Sequence, residues 1–305
     1  MSGKRILGLS AGNRGGSADI LLKQALHAAE DAGAEVAMVR VDDLELSQGP
    51  RGGADDSAWF WDQLMESTGF IVSTPIYTRT IPGKLRLLGD KISGPQADVA
   101  FTAEILRMRS AGEELSVIFP VDERVLRPRV GAFICVGGSL PSYWKALALP
   151  LMHTLTASAQ IGIVDQVEFA GAGSPAAIVL DAAALERTAQ LGRAVAEQLG
   201  RPYDEVEYRG APGVCPLCHL DAIVLYPDHI ECASCGAGGR LEVRDGSITA
   251  VFTAEGQQQS ILSYTEKLAH FREVQETAAR QAPERAHIDA VAAEYADWDR
   301  ALSPR

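Results

Sequence analysis

The stretch that decides the fold is Ile6-Leu7-Gly8-Leu9-Ser10-Ala11-Gly12-Asn13-Arg14-Gly15-Gly16-Ser17-Ala18-Asp19-Ile20-Leu21-Leu22. An apolar run ends at Ser10 and gives way to a loop of small residues. After this loop, apolar residues recur at the spacing of one helical face, at Leu22, Ala25, Leu26 and Ala29. The order of strand, loop and helix predicts the first βα unit of a parallel sheet.

The same alternation continues to residue 199. Further strands are predicted at 36–41, 70–73, 130–136 and 162–169, and helices at 17–32, 56–67, 143–155 and 180–199. We expect a bend at Pro150 in the third of these helices, and Asp181 is the candidate N-cap of the last. The pattern predicts an α/β fold with a doubly wound, five-stranded parallel sheet.

Composition and charge narrow the classes of partner. The chain has 305 residues, of which 47% are hydrophobic and 22% are charged, as is ordinary for a globular protein. The net charge of −12 disfavours nucleic acid or an anionic membrane, because both bind basic surfaces. No apolar stretch approaches the ~20 residues of a membrane-spanning helix, and the first apolar run is too short for a signal peptide. We therefore expect a cytoplasmic protein.

The loop at 10–17 is a candidate anion site. Small residues expose backbone N–H groups beside a helix N-terminus, where anions bind. Ser10 and Ser17 add hydroxyl donors, and Arg14 adds a fixed charge. Neither a Walker lysine nor the GxGxxG dinucleotide fingerprint is present, so a monophosphate fits best. A glycine-rich turn without a ligand is the alternative.

A second loop follows the third strand, with the sequence Ser73-Thr74-Pro75-Ile76-Tyr77-Thr78-Arg79-Thr80-Ile81-Pro82-Gly83-Lys84-Leu85. In a doubly wound sheet, ligands bind where the carboxyl ends of neighbouring strands meet at the switch point. Pro75 stiffens this loop, and Tyr77 offers a ring or a hydroxyl to a planar ligand. A third loop, Gly137-Gly138-Ser139-Leu140, would bring backbone N–H groups against the same ligand.

Together, residues 9–22 and 73–85 resemble the NADPH-dependent FMN reductase family of flavodoxin-like proteins, especially the branch that includes iron–sulfur flavoproteins. The resemblance covers residues 3–200, apart from 93–129. It implies a flavodoxin-like fold and bound FMN. It also implies hydride transfer from NAD(P)H through FMN to a flavin, a quinone or another small unsaturated acceptor.

The resemblance also assigns roles to residues. The FMN phosphate would be surrounded by Ser10, Gly12, Arg14 and Ser17. The isoalloxazine would be flanked by residues of the two later loops, namely Thr74, Pro75, Ile76, Tyr77, Thr78, Gly137, Gly138 and Ser139. No catalytic acid or base is required of the protein, because the cofactor carries the chemistry.

One departure from that family branch concerns cysteine. The iron–sulfur branch carries a compact cysteine cluster after its second strand, whereas residues 44–53 contain no cysteine, which excludes such a cluster there. Cys135 lies alone in a predicted strand, and we interpret it as a small core residue.

The other four cysteines form two CxxC pairs, Cys215/Cys218 and Cys232/Cys235, with thirteen residues between the pairs. Two such turns make a tetrahedral four-sulfur site, and a closed site of this kind is structural. Hairpins predicted around 227–228 and 245–246 complete a zinc ribbon. Iron, with rubredoxin-like electron transfer from the flavin, is the alternative, and a disulfide is a weaker one.

The sequence divides into three predicted parts. Residues 1–203 form the FMN-binding domain with an insertion at 93–129, residues 204–255 form the zinc ribbon, and residues 256–305 form a helical tail. We interpret the insertion either as a surface at an oligomer contact or as a substrate lid.

Two apolar stripes run along the tail, at Leu268, Phe271 and Val274 and at Ile288, Val291, Tyr295 and Trp298. They pack on the body or on a subunit, or else bring Tyr295 or Trp298 over the flavin. We expect a homodimer or homotetramer, in which a second subunit completes the pocket.

Two rival functions stay open at this point. In the first, the flavin shuttles electrons between proteins and never meets a nicotinamide. In the second, the ribbon contacts nucleic acid, which is disfavoured because acidic neighbours outnumber Arg240 and Arg244.

Overall fold

The computed structural model describes residues 4–48, 55–296 and 302. Its main sheet is parallel and five-stranded, with the order β2-β1-β3-β4-β5. The order reverses between β1 and β3, which is the switch point of a flavodoxin-like doubly wound sheet. The predicted fold class is confirmed. The strands are β1 (Arg5–Ser10), β2 (Glu35–Arg40), β3 (Gly69–Pro75), β4 (Val130–Val136) and β5 (Gly162–Phe169).

Helices cover both faces of this sheet. On one face α1 (Ser17–Asp31) packs with α6 (Ala182–Glu197) in one apolar cluster. On the other face α2 (Ser57–Met65), α3 (Gly83–Ile92) and α5 (Ala148–His153) contribute to a second cluster. Because both faces are covered, central strands are apolar without alternation, and all seven residues of β4 are buried.

The helix predicted over 143–155 is wrong in its extent. A short 3₁₀ turn at Ser142–Trp144 is followed by the six-residue α5. Pro150 lies in the first turn of α5, where its missing N–H group costs no hydrogen bond, so it helps to begin the helix and does not bend it. The N-cap at Asp181 is confirmed, because its carboxylate accepts the N–H of Ala184 at 2.9 Å.

A second sheet is antiparallel, with the order β6-β7-β8-β9. Both predicted hairpins are present. The turn between β8 and β9 holds Asp245 at φ 50° and Gly246 at φ 78°, the backbone conformation that a two-residue hairpin turn requires. The strands are β6 (Ile223–Leu225), β7 (Ile230–Cys232), β8 (Gly238–Arg244) and β9 (Ser247–Phe252).

The insertion and the tail cover each other. Within the insertion, α4 (Val99–Ala111) buries Phe101 against Phe271 of α8 (Tyr264–Gln281). The side chain of Gln275 accepts the N–H groups of Ser116 and Val117 and donates to the Val117 carbonyl. The first apolar stripe of the tail therefore packs on the insertion at 93–129 and not on a second subunit.

The end of the tail behaves differently. Two further helices are α7 (Ala254–Gln258) and α9 (Arg285–Ala296). No residue of α9 is buried, and Tyr295 is 74% exposed. Trp298 lies outside the described residues. Within the described part of the chain, no helix has the length and apolar character needed to cross a bilayer.

Candidate functional site

A cavity of about 600 Å³ opens at the carboxyl ends of the parallel strands. Loops after β1, β3, β4 and β5 all contribute to its lining, so three predicted loops do converge and a fourth joins them. The lining residues are Gly12, Asn13, Arg14, Gly15, Gly16, Ser17, Ala18, Pro75, Ile76, Tyr77, Val136, Gly138, Ala172, Gly173, Ser174 and Pro175.

The loop after β1 lies tightly against α1. A Cβ atom added to Gly12 would come within 2.9 Å of the Ala18 Cβ, so only glycine fits without a shift of the backbone. No side chain caps the N-terminus of α1. Its first backbone N–H groups are therefore available to an anion bound in the cavity.

Two predicted residues of this loop have contrasting environments. The Ser10 side chain is fully buried, and its hydroxyl has no hydrogen-bond partner among the described residues. The Arg14 side chain is 70% exposed, and its guanidinium lies 3.4 Å from the Asp43 carboxylate. Ser10 does not line the cavity, and its uncommitted hydroxyl lies buried where β1 meets the loop, whereas Arg14 lines the cavity and carries an exposed charge.

Sequence reasoning missed Asp19, which holds the loop from below. Its buried carboxylate accepts the Gly15 N–H at 3.0 Å and contacts Lys23 at 2.7 Å and Arg40 at 3.1 Å. Burial raises the pKa of Asp19, but hydrogen bonds from Lys23, Gly15 and Arg40 outweigh it and lower the pKa. Two cations on one carboxylate leave a positive charge in excess beneath the loop. The only sequence signal was an acidic residue in a first helical turn, which is common.

The loop after β3 forms a closed two-residue turn. Tyr77 and Thr80 exchange backbone hydrogen bonds of 2.9 and 3.0 Å, with Thr78 and Arg79 at the tip. The N–H of Ile76 donates to the Val136 carbonyl at 2.9 Å. Tyr77 is 54% exposed and lines the cavity. Thr74 and Thr78 do not line it, and Thr74 is buried with its hydroxyl donating to the Pro75 carbonyl.

The loops after β4 and β5 are bound to each other. The N–H of Gly137 donates to the Phe169 carbonyl at 2.9 Å, and Gly137 accepts the N–H of Ala172 at 3.2 Å. A Cβ atom added to Gly138 would come within 3.0 Å of the Gly173 Cα. Gly137 and Ser139 therefore do not line the cavity, whereas Gly138 does. The missed loop had a readable signal, the small-residue run 170–175 directly after the fifth strand.

The four CxxC cysteines form one buried cluster, with all Sγ atoms within 4.8 Å of one another. The Cys215 and Cys235 sulfurs are 3.6 Å apart, and those of Cys218 and Cys232 are 3.4 Å apart. Thiolates at about 2.3 Å from a tetrahedral ion are separated by about 3.8 Å. The cluster therefore fits a single tetrahedral metal ion.

The two cysteine turns repeat one another in their backbone. The His219 N–H donates to the Cys215 carbonyl at 3.0 Å, and the Gly236 N–H donates to the Cys232 carbonyl at 2.9 Å. Both residues are left-handed, with φ of 57° and 76°. His219 thus occupies a position that favours glycine, and its ring stacks on Tyr208 at 3.6 Å.

The cysteine cluster is attached to the parallel sheet. Gln166 on β5 donates to the Cys218 carbonyl at 2.7 Å and accepts from His153 at 2.9 Å. Burial lowers the pKa of His153 to about 4, so this histidine is neutral near pH 7. Cys135 lies away from the cluster, fully buried in β4, and burial raises the pKa of its thiol. The interpretation of Cys135 as a small core residue is confirmed.

Comparison with known proteins agrees with this architecture. The family model of the NADPH-dependent FMN reductases matches residues 4–170. Flavone synthase cfoJ of Aspergillus candidus is 32% identical over 294 residues, which cover 89% of both chains. A solved structure of a flavone reductase superposes with a TM-score of 0.83 and 26% identity, over 99% of this chain and 100% of that one.

The family model spans more than half of the chain, and its residues include the loops after β1, β3 and β4 that line the cavity. The flavone reductase similarity extends beyond them through the second sheet and the tail. The chain therefore belongs to the NADPH-dependent FMN reductase family and is an NAD(P)H-dependent flavin oxidoreductase.

Proposed function

We propose that this protein passes a hydride from NAD(P)H, through FMN in the cavity, to a planar conjugated carbonyl compound of the flavone class. The observation that carries the proposal is the convergence of four strand-end loops on one cavity, with an uncapped helix N-terminus at one end. The acceptor class comes from the names of the two similar proteins, flavone synthase and flavone reductase. Free flavins and quinones are the competing acceptors.

The residues around the α1 N-terminus fit the phosphate of FMN. The unpartnered Ser10 hydroxyl, the free first-turn N–H groups near Ser17 and the excess charge around Asp19 all favour an anion. Gly12 lets the loop lie against α1, because a Cβ atom at this position would come within 2.9 Å of the Ala18 Cβ. Arg14 closes over the phosphate from the rim.

The other loops fit the isoalloxazine. Pro75, Ile76 and Tyr77 supply a largely apolar wall, and Gly138 supplies backbone at the opposite side. Because the Gly137 N–H is committed to the Phe169 carbonyl and Ser139 does not line the cavity, the donor left for the ring edge in this loop is the N–H group of Gly138. Such a donor stabilises negative charge on the reduced ring.

FMN, when bound, supplies the hydride chemistry, and the chain supplies position and environment. No carboxylate or histidine lines the described cavity. Reduction of the acceptor adds a hydride to the carbon β to its carbonyl and a proton from water to the α-carbon. The protein's task is therefore to stack the two rings and not to transfer the proton.

The decisive experiment is anaerobic mixing of the FMN-loaded protein with NADPH or NADH. Rapid loss of flavin absorbance, followed by reoxidation when a flavone is added and formation of the 2,3-dihydro product, is the expected result. Reoxidation by a quinone or free flavin alone would reassign the acceptor. A flavin that neither nucleotide reduces would favour the rival, an electron-transfer module between proteins.

For the cysteine cluster we propose a structural zinc ion, bound by Cys215, Cys218, Cys232 and Cys235. The sulfur spacing and the complete burial of the thiols support a closed site. Elemental analysis should find one zinc per chain and no visible absorption from the site. Stoichiometric iron would instead support electron transfer from the flavin to the cluster. A thiolate site of this kind suits a reducing compartment, and we propose that the protein works in the cytoplasm.

We also propose the three-part division at 203 and 255 and assembly as a homodimer or homotetramer. The unburied helix α9 and its exposed Tyr295 support assembly, because a helix with no buried face gains little stability from its own chain. Light scattering of the intact protein tests it. A mass near 32.5 kDa at working concentration means a monomer and overturns this part.

A further inference from the structure

The turn at Tyr77–Thr80 carries two residues in an unusual backbone conformation. Thr78 has φ 46° and Arg79 has φ 74°. Two-residue turns with both central residues left-handed favour Asn-Gly, and a β-branched residue such as threonine is rare there. Strain of this kind persists where the surrounding structure imposes it, and it concentrates at ligand sites.

The structure on both sides of the turn fixes its position. Ile76 is hydrogen-bonded to the backbone of β4 at 2.9 Å, and Ile81 is buried in the core. The Thr80 hydroxyl also donates to the Tyr77 carbonyl at 3.2 Å. The tip therefore projects from a rigid base. Arg79 is not itself a lining residue, but it lies at the tip of the turn that begins at Tyr77, which lines the cavity.

Arg79 differs from the other cations around this cavity. Arg14 pairs with Asp43, Lys23 and Arg40 share Asp19, and Lys84 donates to the Asp42 carbonyl at 3.0 Å. The exposed side chain of Arg79 has no hydrogen-bond or ion-pair partner among residues 4–48 and 55–296. In a chain with a net charge of −12, an unpaired guanidinium on a turn that borders the cavity attracts an anionic ligand.

We propose that Arg79 binds a phosphate group of the incoming nicotinamide dinucleotide and so sets the affinity for the reductant. This inference rests on the proposed function. The phosphate site for FMN lies at the α1 N-terminus, whereas Arg79 lies on the separate loop after β3, beside the wall assigned to the isoalloxazine. A guanidinium matches a phosphate through two parallel hydrogen bonds, which a glycine in this turn could not supply.

Both dinucleotides carry a pyrophosphate, and NADPH adds a 2′-phosphate. The test therefore measures NADPH and NADH kinetics for Arg79→Gly, Arg79→Lys and the wild type, together with calorimetric binding of 2′,5′-ADP and 5′-ADP. Arg127→Gly is the matched control, because Arg127 is also exposed but precedes the amino end of β4, whereas the cavity lies at the carboxyl ends of the strands.

We expect Arg79→Gly to raise the KM for the dinucleotide about tenfold, the equivalent of one lost charge-assisted hydrogen bond. Its kcat and FMN affinity should change little. Arg79→Lys should restore part of the affinity, and Arg127→Gly should match the wild type. If affinity falls only for NADPH and 2′,5′-ADP, Arg79 binds the 2′-phosphate. If it falls equally for NADH and 5′-ADP, Arg79 binds the pyrophosphate.

Unchanged KM values and unchanged ADP affinities in Arg79→Gly would overturn the proposal while the proposed function stands. An equal loss in Arg127→Gly would overturn it too, because the effect would then follow net charge. A wild-type flavin that no nucleotide reduces would remove the proposed function itself. Thermal unfolding adds a readout independent of activity, since Arg79→Gly should unfold at a higher temperature once the left-handed arginine is gone.

Discussion

The two candidate ligand sites of this protein are built in opposite ways. The cavity is made mostly of backbone, at the ends of strands whose positions are fixed by large apolar clusters on both faces of the sheet. The metal site is made of side chains, in a module whose buried apolar cluster consists largely of the cysteines themselves. The fold should therefore exist before FMN binds, whereas the ribbon should exist only with its metal.

The largest effect that separates the two regions is loss of the metal. Cys218→Ser should release the ion and unfold residues 204–255, because binding a structural zinc contributes on the order of 10 kcal/mol to the folding of such modules. Protease digestion followed by mass spectrometry should show cleavage in that segment first. FMN binding to the parallel sheet should survive. Cys135→Ala, which removes a thiol from the sheet, should keep the metal, and simultaneous loss of both sites would show that they fold as one unit.

The same contrast explains what the sequence could predict. Continuous apolar strands such as β4, the two CxxC spacings and the Asp245-Gly246 turn are local patterns, and each is found where it was expected. The predicted sheet, the strand-end loops and the four-cysteine cluster all follow from such patterns.

Long-range contacts gave no such signal. Asp19 contacts Arg40 on another strand. Arg129 ends the insertion 93–129, which we interpret from the sequence as an oligomer-contact surface or a lid, but it is buried and donates to the carbonyls of Leu64 and Met65 at the end of α2. Burial lowers the pKa of Arg129 to about 10. These two carbonyl groups lie about 65 residues before Arg129 in the sequence, so no local sequence pattern predicts the contact.

Removing a buried ion pair tests whether the FMN-binding part, residues 1–203, is stable independently of the zinc ribbon. Lys91 lies 2.6 Å from Asp55, and both side chains are 2% exposed. Lys91→Met should destabilise residues 1–203 by about 1–3 kcal/mol, because the carboxylate loses its ion-pair partner and keeps only the hydrogen bonds from Ser47 and Ser57. Metal content should not change. Urea unfolding measures the loss, and Asp55→Asn combined with Lys91→Met should recover part of it.

The same pair predicts a pH dependence. The hydrogen bond from Lys91, together with Ser57, holds the pKa of Asp55 well below its usual range. A carboxyl with a depressed native pKa stabilises the fold above its unfolded pKa of about 3.9 and loses that contribution as pH falls below it. Wild-type stability should therefore decline below about pH 4 more steeply than that of the double variant. Parallel acid profiles for the two proteins would contradict this role.

An intermediate effect is expected at the cavity. Arg14→Ala should weaken FMN binding by about 1.5–3 kcal/mol, or roughly 10- to 150-fold in Kd, by removing a charge-assisted hydrogen bond to the phosphate. The high exposure of Arg14 favours the lower end of that range. Fluorescence titration with FMN measures it. Asp43→Asn is the complementary variant, since it frees Arg14 from its pair and should tighten binding. An unchanged Kd in Arg14→Ala would remove this residue from the phosphate site.

The smallest effect lies in the comparison between the two cysteine turns. His219 holds a left-handed position that Gly236 holds in the other turn. Replacing a left-handed non-glycine residue by glycine relieves about 1 kcal/mol of strain, whereas losing the stacking on Tyr208 costs about 0.5–1.5 kcal/mol. His219→Gly should therefore change the thermal stability of the ribbon by less than about 1 kcal/mol in the wild-type background.

The Tyr208→Leu background separates the backbone strain of His219 from the stacking of its ring on Tyr208. Without the tyrosine ring, His219 retains its strain but loses its stacking partner, so His219→Gly should become clearly stabilising there. Gly236→Ala provides the converse, because a Cβ atom introduced at φ 76° adds strain without any stacking in return. If His219→Gly is equally destabilising in both backgrounds, the histidine acts through a contact other than Tyr208. The two turns would then be alike in backbone but stabilised by different side-chain contacts.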